Sequence, residues 1–137
     1  MDRPFLDANV LFSAAYHSGS SLRQLWSLAE TELLSCPFAV REAHDSLAQI
    51  RPAQLTDLAA LLAGITMIPD PVAGSPLPPG IALPDKDKPI FLAAMGGRAT
   101  HLLTGDRKHF GAYFGQNIAG ILILRPAVYL QSRQSAP

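Results

Sequence analysis

A parallel α/β fold is the class this sequence predicts. Short apolar runs alternate with helical patterns along the whole chain, an order that belongs to α/β architecture. The segment DKDKPIFLAAMGGRATHLLTGDRKHF, residues 85–110, compresses a helix start, a buried strand and three aspartates into 26 residues. Further carboxylates lie far upstream at strand or helix ends, where a parallel topology gathers them on one edge.

The elements follow in chain order. Residues 4–11, PFLDANVL, read as an apolar strand interrupted by Asp7 and Asn9, and a buried carboxylate there needs a partner. Ser20 or Ser21 caps a helix in which Leu22, Leu25, Trp26 and Ala29 share one face. Residues 33–36 form a second strand. Pro37 then opens a helix through Ala39, Val40, Ala43 and Leu47, with Glu42 in its second turn. Pro52 begins another helix, with Leu55, Leu58, Ala59, Leu61 and Leu62 as its apolar face, and Gly64 ends it. Residues 65–68 form a third strand.

Residues 69–84 hold six of the twelve prolines, which makes a stiff surface loop rather than a domain linker. Pro89 fits the first turn of a helix through Ile90, Phe91, Ala93 and Ala94, closed by Gly96 and Gly97. Residues 101–104 form a fourth strand with Asp106 in the turn beyond it. A short helix over 107–114, a last strand over 118–124 and a closing helix over 126–131 complete a single domain spanning residues 1–131; residues 132–137 are expected to be a frayed tail.

Composition narrows the function classes. With 137 residues and 48% apolar content the chain is long enough to bury a core, and its zero formal charge provides no global field toward nucleic acid or lipid. If Asp7, Glu42, Asp85, Asp87 and Asp106 gather round a cation, the six other acids face eleven Lys and Arg, and a polyanionic substrate becomes tolerable. The single Cys36 excludes an internal disulfide and a cysteine zinc site, in keeping with a cytoplasmic protein. No apolar run approaches the ~20 residues that span a bilayer.

In a parallel sheet with right-handed crossovers, strand carboxyl ends and the amino ends of the following helices share one edge. Asp7 and Asp106 lie near strand ends, Asp85 and Asp87 precede a helix, and Glu42 lies about 8 Å into one at ~1.5 Å per residue. Carboxylates so gathered repel unless a cation neutralises them. Magnesium or manganese is the natural partner, since both take carboxylate and water oxygens and can activate water against a phosphodiester. Arg107, Lys108 and His109 either contact substrate phosphates beside the metal or form a solvated helix start. His17, His44 and His101 have no ligand spacing, and Trp26 suits the core.

With these residues in view, the chain resembles the PIN domain family over nearly its full length. The motifs are FLDANVL with Asp7 and Asn9, VREAHDSL with Glu42, DKDKPIFLAA with Asp85 and Asp87, and LLTGDRKHFG with Thr104 and Asp106. The resemblance implies a three-layer α/β/α sandwich round a parallel sheet of order 3-2-1-4-5. It also implies a metal-dependent ribonuclease with Asp7, Glu42, Asp87 and Asp106 as its acidic quartet. Asp7, Asp87 and Asp106 would hold Mg2+ or Mn2+, Asn9 and Thr104 would orient ligands or water, and Asp85 would assist from outside. Short PIN proteins of this kind are similar to VapC-type toxins, so an antitoxin partner and an RNA substrate are expected; a homodimer is expected because the apolar helical surface is sufficient for one. The rival expectation is a PIN-like scaffold that binds RNA or protein without cleaving.

Overall fold

The computed structural model describes residues 1–134. Six strands, β1 (Pro4–Leu6), β2 (Leu34–Ser35), β3 (Thr66–Met67), β4 (His101–Leu103), β5 (Asn117–Ile118) and β6 (Ile121–Leu124), form one sheet in the order β3-β2-β1-β4-β6-β5. The α-helices are α1 (Ala8–Tyr16), α2 (Pro37–Ile50), α3 (Leu55–Leu62), α4 (Lys88–Gly96), α5 (Arg107–Phe110) and α6 (Pro126–Gln134).

Period-two alternation in the strands builds the layers. Phe5, Leu34, Leu102 and Ile123 face one cluster, which α4 supplies with Ile90, Phe91 and Ala94. Their neighbours Leu6, Leu33 and Leu103 face the other, filled by Val10, Leu11 and Ala15 of α1, Ala43 and Leu47 of α2, Leu58 of α3, and Tyr129 and Leu130 of α6. Helices thus cover both faces of a mostly parallel sheet, the predicted three-layer class. Burial on both faces is why these strands read as uninterrupted apolar runs.

The strand order departs from 3-2-1-4-5 in one respect. Residues 118–124 are not one strand: Ala119 and Gly120 take left-handed φ values of 54° and 84°, and β5 folds back antiparallel onto β6 with Ile118 opposite Ile121. Two consecutive positive-φ residues make the tight turn whose twist suits a hairpin. All the other pairings, β1 with β2 and β4, β2 with β3, and β4 with β6, are parallel.

Other elements shift at their ends. The strand expected over 4–11 stops at Leu6, because Asp7 caps α1 by accepting the Ala8 amide at 2.7 Å. Ser20 caps a 3-10 helix over Ser21–Ser27 rather than an α-helix. The helix expected from Pro52 begins with a 3-10 turn, Pro52–Gln54, before α3. The closing helix runs on to Gln134, so residues 132–134 are not tail; Arg133 is tied to Asp2, Thr31 and Tyr129. The remainder of the expected tail, 135–137, lies outside the described residues.

Ala119 holds a conformation that costs an L-residue about 1–2 kcal/mol. Ala119→Asn, which makes the preferred Asn-Gly turn, is expected to raise unfolding free energy by about 1 kcal/mol in urea titration. An unchanged or lower midpoint contradicts the turn assignment.

Candidate metal centre

Parallel pairing aligns Leu6 with Leu103, so the chain leaves β1 and β4 side by side at the carboxyl edge. The Asp7 amide donates to the Leu103 carbonyl at 3.1 Å, and the Thr104 amide to the Leu124 carbonyl at 3.1 Å. Beyond these bonds both chains turn into helices, and their first polar side chains meet.

Thr104 is the hub of that meeting and is fully buried. Its hydroxyl donates to Asp7 Oδ2 at 2.8 Å and accepts from Asn9 Nδ2 and from the Asp106 amide, each at 3.1 Å. One donated hydrogen and two occupied lone pairs exhaust what a threonine hydroxyl offers. Asn9 also donates to Asp7 Oδ2 at 3.2 Å and accepts the Gly105 amide at 2.8 Å. Asn9 and Thr104 therefore hold the Asp7 carboxylate and the Asp106 turn in place.

The other acids reach the same place by separate routes. Asp106 caps α5, accepting the His109 amide on Oδ1 at 3.1 Å and the ring Nδ1 of His109 on Oδ2 at 2.9 Å. Asp87 stands at the amino end of α4, but its side chain makes no capping bond. It turns instead into a cleft of about 390 Å³ lined by Asp7, Asn9, Glu42, Lys86, Asp87 and Asp106, with Phe12 and Ile50 on the apolar side. The four acids of the expected quartet thus face one space. Glu42 enters from α2 on an exposed turn.

Asp85 does not join them. Its carboxylate is solvent-exposed, pairs with Lys88 at 2.9 Å, and borders a separate groove with Phe38, Val72 and Leu77. The Lys88 hydrogen bond and charge hold its carboxyl below the usual range. Arg107 and Lys108 are exposed on the first turn of α5. Arg107 lines a groove with Asn9, Gly105 and Arg125 that adjoins the cleft through Asn9.

Three participants escaped the sequence reading in these roles. Lys86 lines the cleft although it was passed over between the two aspartates of DKDK. Arg125 follows β6 at the same sheet edge as Asp7 and Asp106, a position the topology rule could have flagged. His109, read as a phosphate contact or a solvated residue, instead lies between two carboxylates, 2.9 Å from Asp106 Oδ2 and 3.0 Å from Asp87 Oδ2.

The electrostatics describe a site short of positive charge. Burial pushes the Asp7 carboxyl from 3.8 up to about 6; hydrogen bonds from Thr104 and Ala8 pull it back, while the charges of Asp87 and Glu42 add to the rise. Burial also raises Asp87 and Glu42, and Lys86 tempers both. Asp106 goes the other way: burial favours its neutral form, but the bonds and charge of His109 outweigh that.

Asp87 Oδ2 is the atom that shows what is missing. It is buried and has no hydrogen-bond partner among the described residues, in spite of its 3.0 Å approach to His109 Nδ1. A ring nitrogen has one hydrogen to give, and the Nδ1 geometry directs it to Asp106. Buried polar atoms are seldom left so, because the desolvation cost is about 1–3 kcal/mol. An orphaned carboxylate oxygen among other carboxylates fits a hard divalent cation, and Asp87, Asp106 and His109 each place a ligand atom within 4.8 Å of the others.

Neither a family model nor a curated protein sequence matches this chain. A solved structure does: the crystal structure of VapBC2 from Rickettsia felis bound to a DNA fragment from their promoter superposes with a TM-score of 0.58 at 13% identity, covering 90% of this chain and 98% of that one. The chain has a PIN-like fold. In this PIN-like fold the acids meet where β1 and β4 end. No described helix is long and apolar enough to cross a membrane.

The raised Asp7 pKa has a thermodynamic sign. The folded state binds a proton that the unfolded state has released between pH ~4 and ~6, so stability without metal falls as pH rises through that window, by about 3 kcal/mol from Asp7 alone. Asp87 and Glu42 act in the same direction. Urea unfolding at several pH values in chelator is expected to show this slope in wild type and a flatter one in Asp7→Asn. Equal slopes contradict the assignment.

Proposed function

We propose that this protein is a divalent-metal-dependent endoribonuclease and the toxin of a toxin–antitoxin pair. The observation that carries the reading is the orphaned Asp87 carboxylate facing Asp7, Glu42 and Asp106 across one cleft. Asp7, Asp87 and Asp106 would hold Mg2+ or Mn2+, and Glu42 would add a fourth carboxylate to the same cleft from α2. When bound, the ion supplies Lewis acidity that lowers the pKa of water and screens the phosphodiester charge.

The chain's own groups do the rest. Thr104 and Asn9 fix the Asp7 carboxylate, and Lys86 offsets the negative charge that a second anion meets on entering. Arg107 and Arg125 form no ion pair among the described residues, and their groove adjoins the cleft. They suit the phosphates on one side of the scissile bond. The VapBC2 likeness supports an antitoxin as protein partner. Exposed Ile50 at the cleft and Val72 on the proline-rich loop are apolar surface for that partner or for a second copy of the chain. Such a protein works in the cytoplasm.

Two measurements test the reading. Manganese at about a hundred times its dissociation constant is expected to stabilise wild type by about 2.7 kcal/mol, whereas a metal-free scaffold shows no shift. Asp106→Asn and Asp7→Asn are expected to stay folded and to lose manganese-dependent RNA cleavage by about 100-fold or more; wild-type rates in either overturn the assignment. For the groove, Arg125→Ala is expected to weaken RNA binding and to reduce the salt dependence by about one charge, with the metal-induced shift intact. An unchanged salt slope removes Arg125 from the substrate path.

A further inference from the structure

We infer that His109 is itself a metal ligand, donating Nδ1 beside the carboxylates of Asp87 and Asp106, and that it biases the centre toward manganese over magnesium. The inference rests on the metal-centre reading above and goes beyond its all-carboxylate ligand set.

The separations of His109 Nδ1 from the two carboxylate oxygens match the edges of an octahedron. Adjacent ligands on an ion with bonds of about 2.1 Å are about 3.0 Å apart. His109 Nδ1 lies 2.9 Å from Asp106 Oδ2 and 3.0 Å from Asp87 Oδ2. One of those oxygens has no hydrogen-bond partner, and Asp87 as a whole is 7% exposed, so an unsatisfied buried acceptor lies 3.0 Å from the ring nitrogen.

The local fold holds the ring in place. His109 follows Asp106 by three residues on α5, its amide is pinned by Asp106 Oδ1 at 3.1 Å, and the next residue, Phe110, is fully buried in the core. A ligand anchored from both sides loses little entropy when an ion binds. Among the described residues, this trio is the set of three acidic or imidazole side chains whose ligand atoms gather within 4.8 Å. Asp7 and Glu42 line the cleft that Asp87 and Asp106 also line.

The chemistry separates two hard ions. Magnesium takes oxygen ligands almost exclusively, whereas an imidazole nitrogen favours transition metals. To bind an ion, Nδ1 must give up the hydrogen it shares with Asp106; with that hydrogen on Nε2 instead, neutral His109 presents a lone pair at Nδ1. Two carboxylates plus one imidazole therefore retain manganese better than a wholly oxygen-lined site does.

The rival role for His109 is a clamp that only hydrogen-bonds the two carboxylates. Pulsed electron paramagnetic resonance of the manganese-loaded full chain separates the roles, because a directly bound imidazole imprints nitrogen modulation on the echo. Wild type is expected to show it. His109→Gln, which keeps a donor for Asp106, is expected to lose the modulation and to narrow the ratio of magnesium to manganese dissociation constants about tenfold, with His109→Ala as a second variant. Bound manganese without nitrogen modulation in wild type overturns the inference and leaves the nuclease reading standing. So does an unchanged metal ratio in folded His109→Gln and His109→Ala. If manganese does not bind wild type at all, both readings fall.

Discussion

The parallel pairing of β1 with β4 is the constraint on which the centre depends. Phe5 against Leu102 and Leu6 against Leu103 set the register, and a slip of β1 by one residue would turn Leu6 out of one core and into the other. Because Leu6, Phe5, Leu102 and Leu103 are all fully buried, no such slip is tolerated. Asp7 and Thr104 are the first residues beyond that pairing, and so their contact is fixed by hydrophobic packing rather than by any attraction between them. The hydroxyl of Thr104 then spends its whole hydrogen-bonding capacity on Asp7, Asn9 and Asp106.

What packing brings together, electrostatics holds apart. Asp7, Asp87 and Glu42 each resist ionisation in the folded protein, and burial is the largest cause in every case. Lys86 and His109 soften the repulsion without abolishing it. The fold therefore accepts a local cost at the place where a cation would remove it, a pattern common where chemistry is done and uncommon where side chains serve stability.

The architecture was largely legible in the residues because strands buried on both faces are written as plain apolar runs, and because Pro37 and Pro89 mark helix starts. The topology rule, which sends strand ends and helix starts to one edge, anticipated that Asp7, Asp87 and Asp106 would line one cleft; Glu42 came mainly from the family resemblance, and the same rule also sent Asp85 there although it borders another groove. What could not be read has specific causes. Asp7 looks like a strand residue until its bond to the Ala8 amide is seen, since an aspartate inside an apolar run marks a cap only where the backbone turns helical after it. The hairpin at Ala119 was hidden because alanine is rare at positive φ and Ile118 continues the apolar pattern of β6. Asp85 and Asp87 flank the same Lys86 in sequence and have opposite fates in space: one faces solvent and pairs with Lys88, the other is buried. The placement of His109 depends on the single turn of α5, and no periodicity can register over four residues.

The strands at the two margins of the sheet, β3 and β5, are only two residues long. A foreign strand docking at either margin finds too few backbone groups in line to bind with any grip. The longer strands β1, β4 and β6 are enclosed between these stubs, so the sheet is finished at both sides and does not invite extension. Assembly with another chain is thereby left to side chains on helices and loops, where recognition depends on which residues are displayed, and a generic ladder of peptide groups has no part in it.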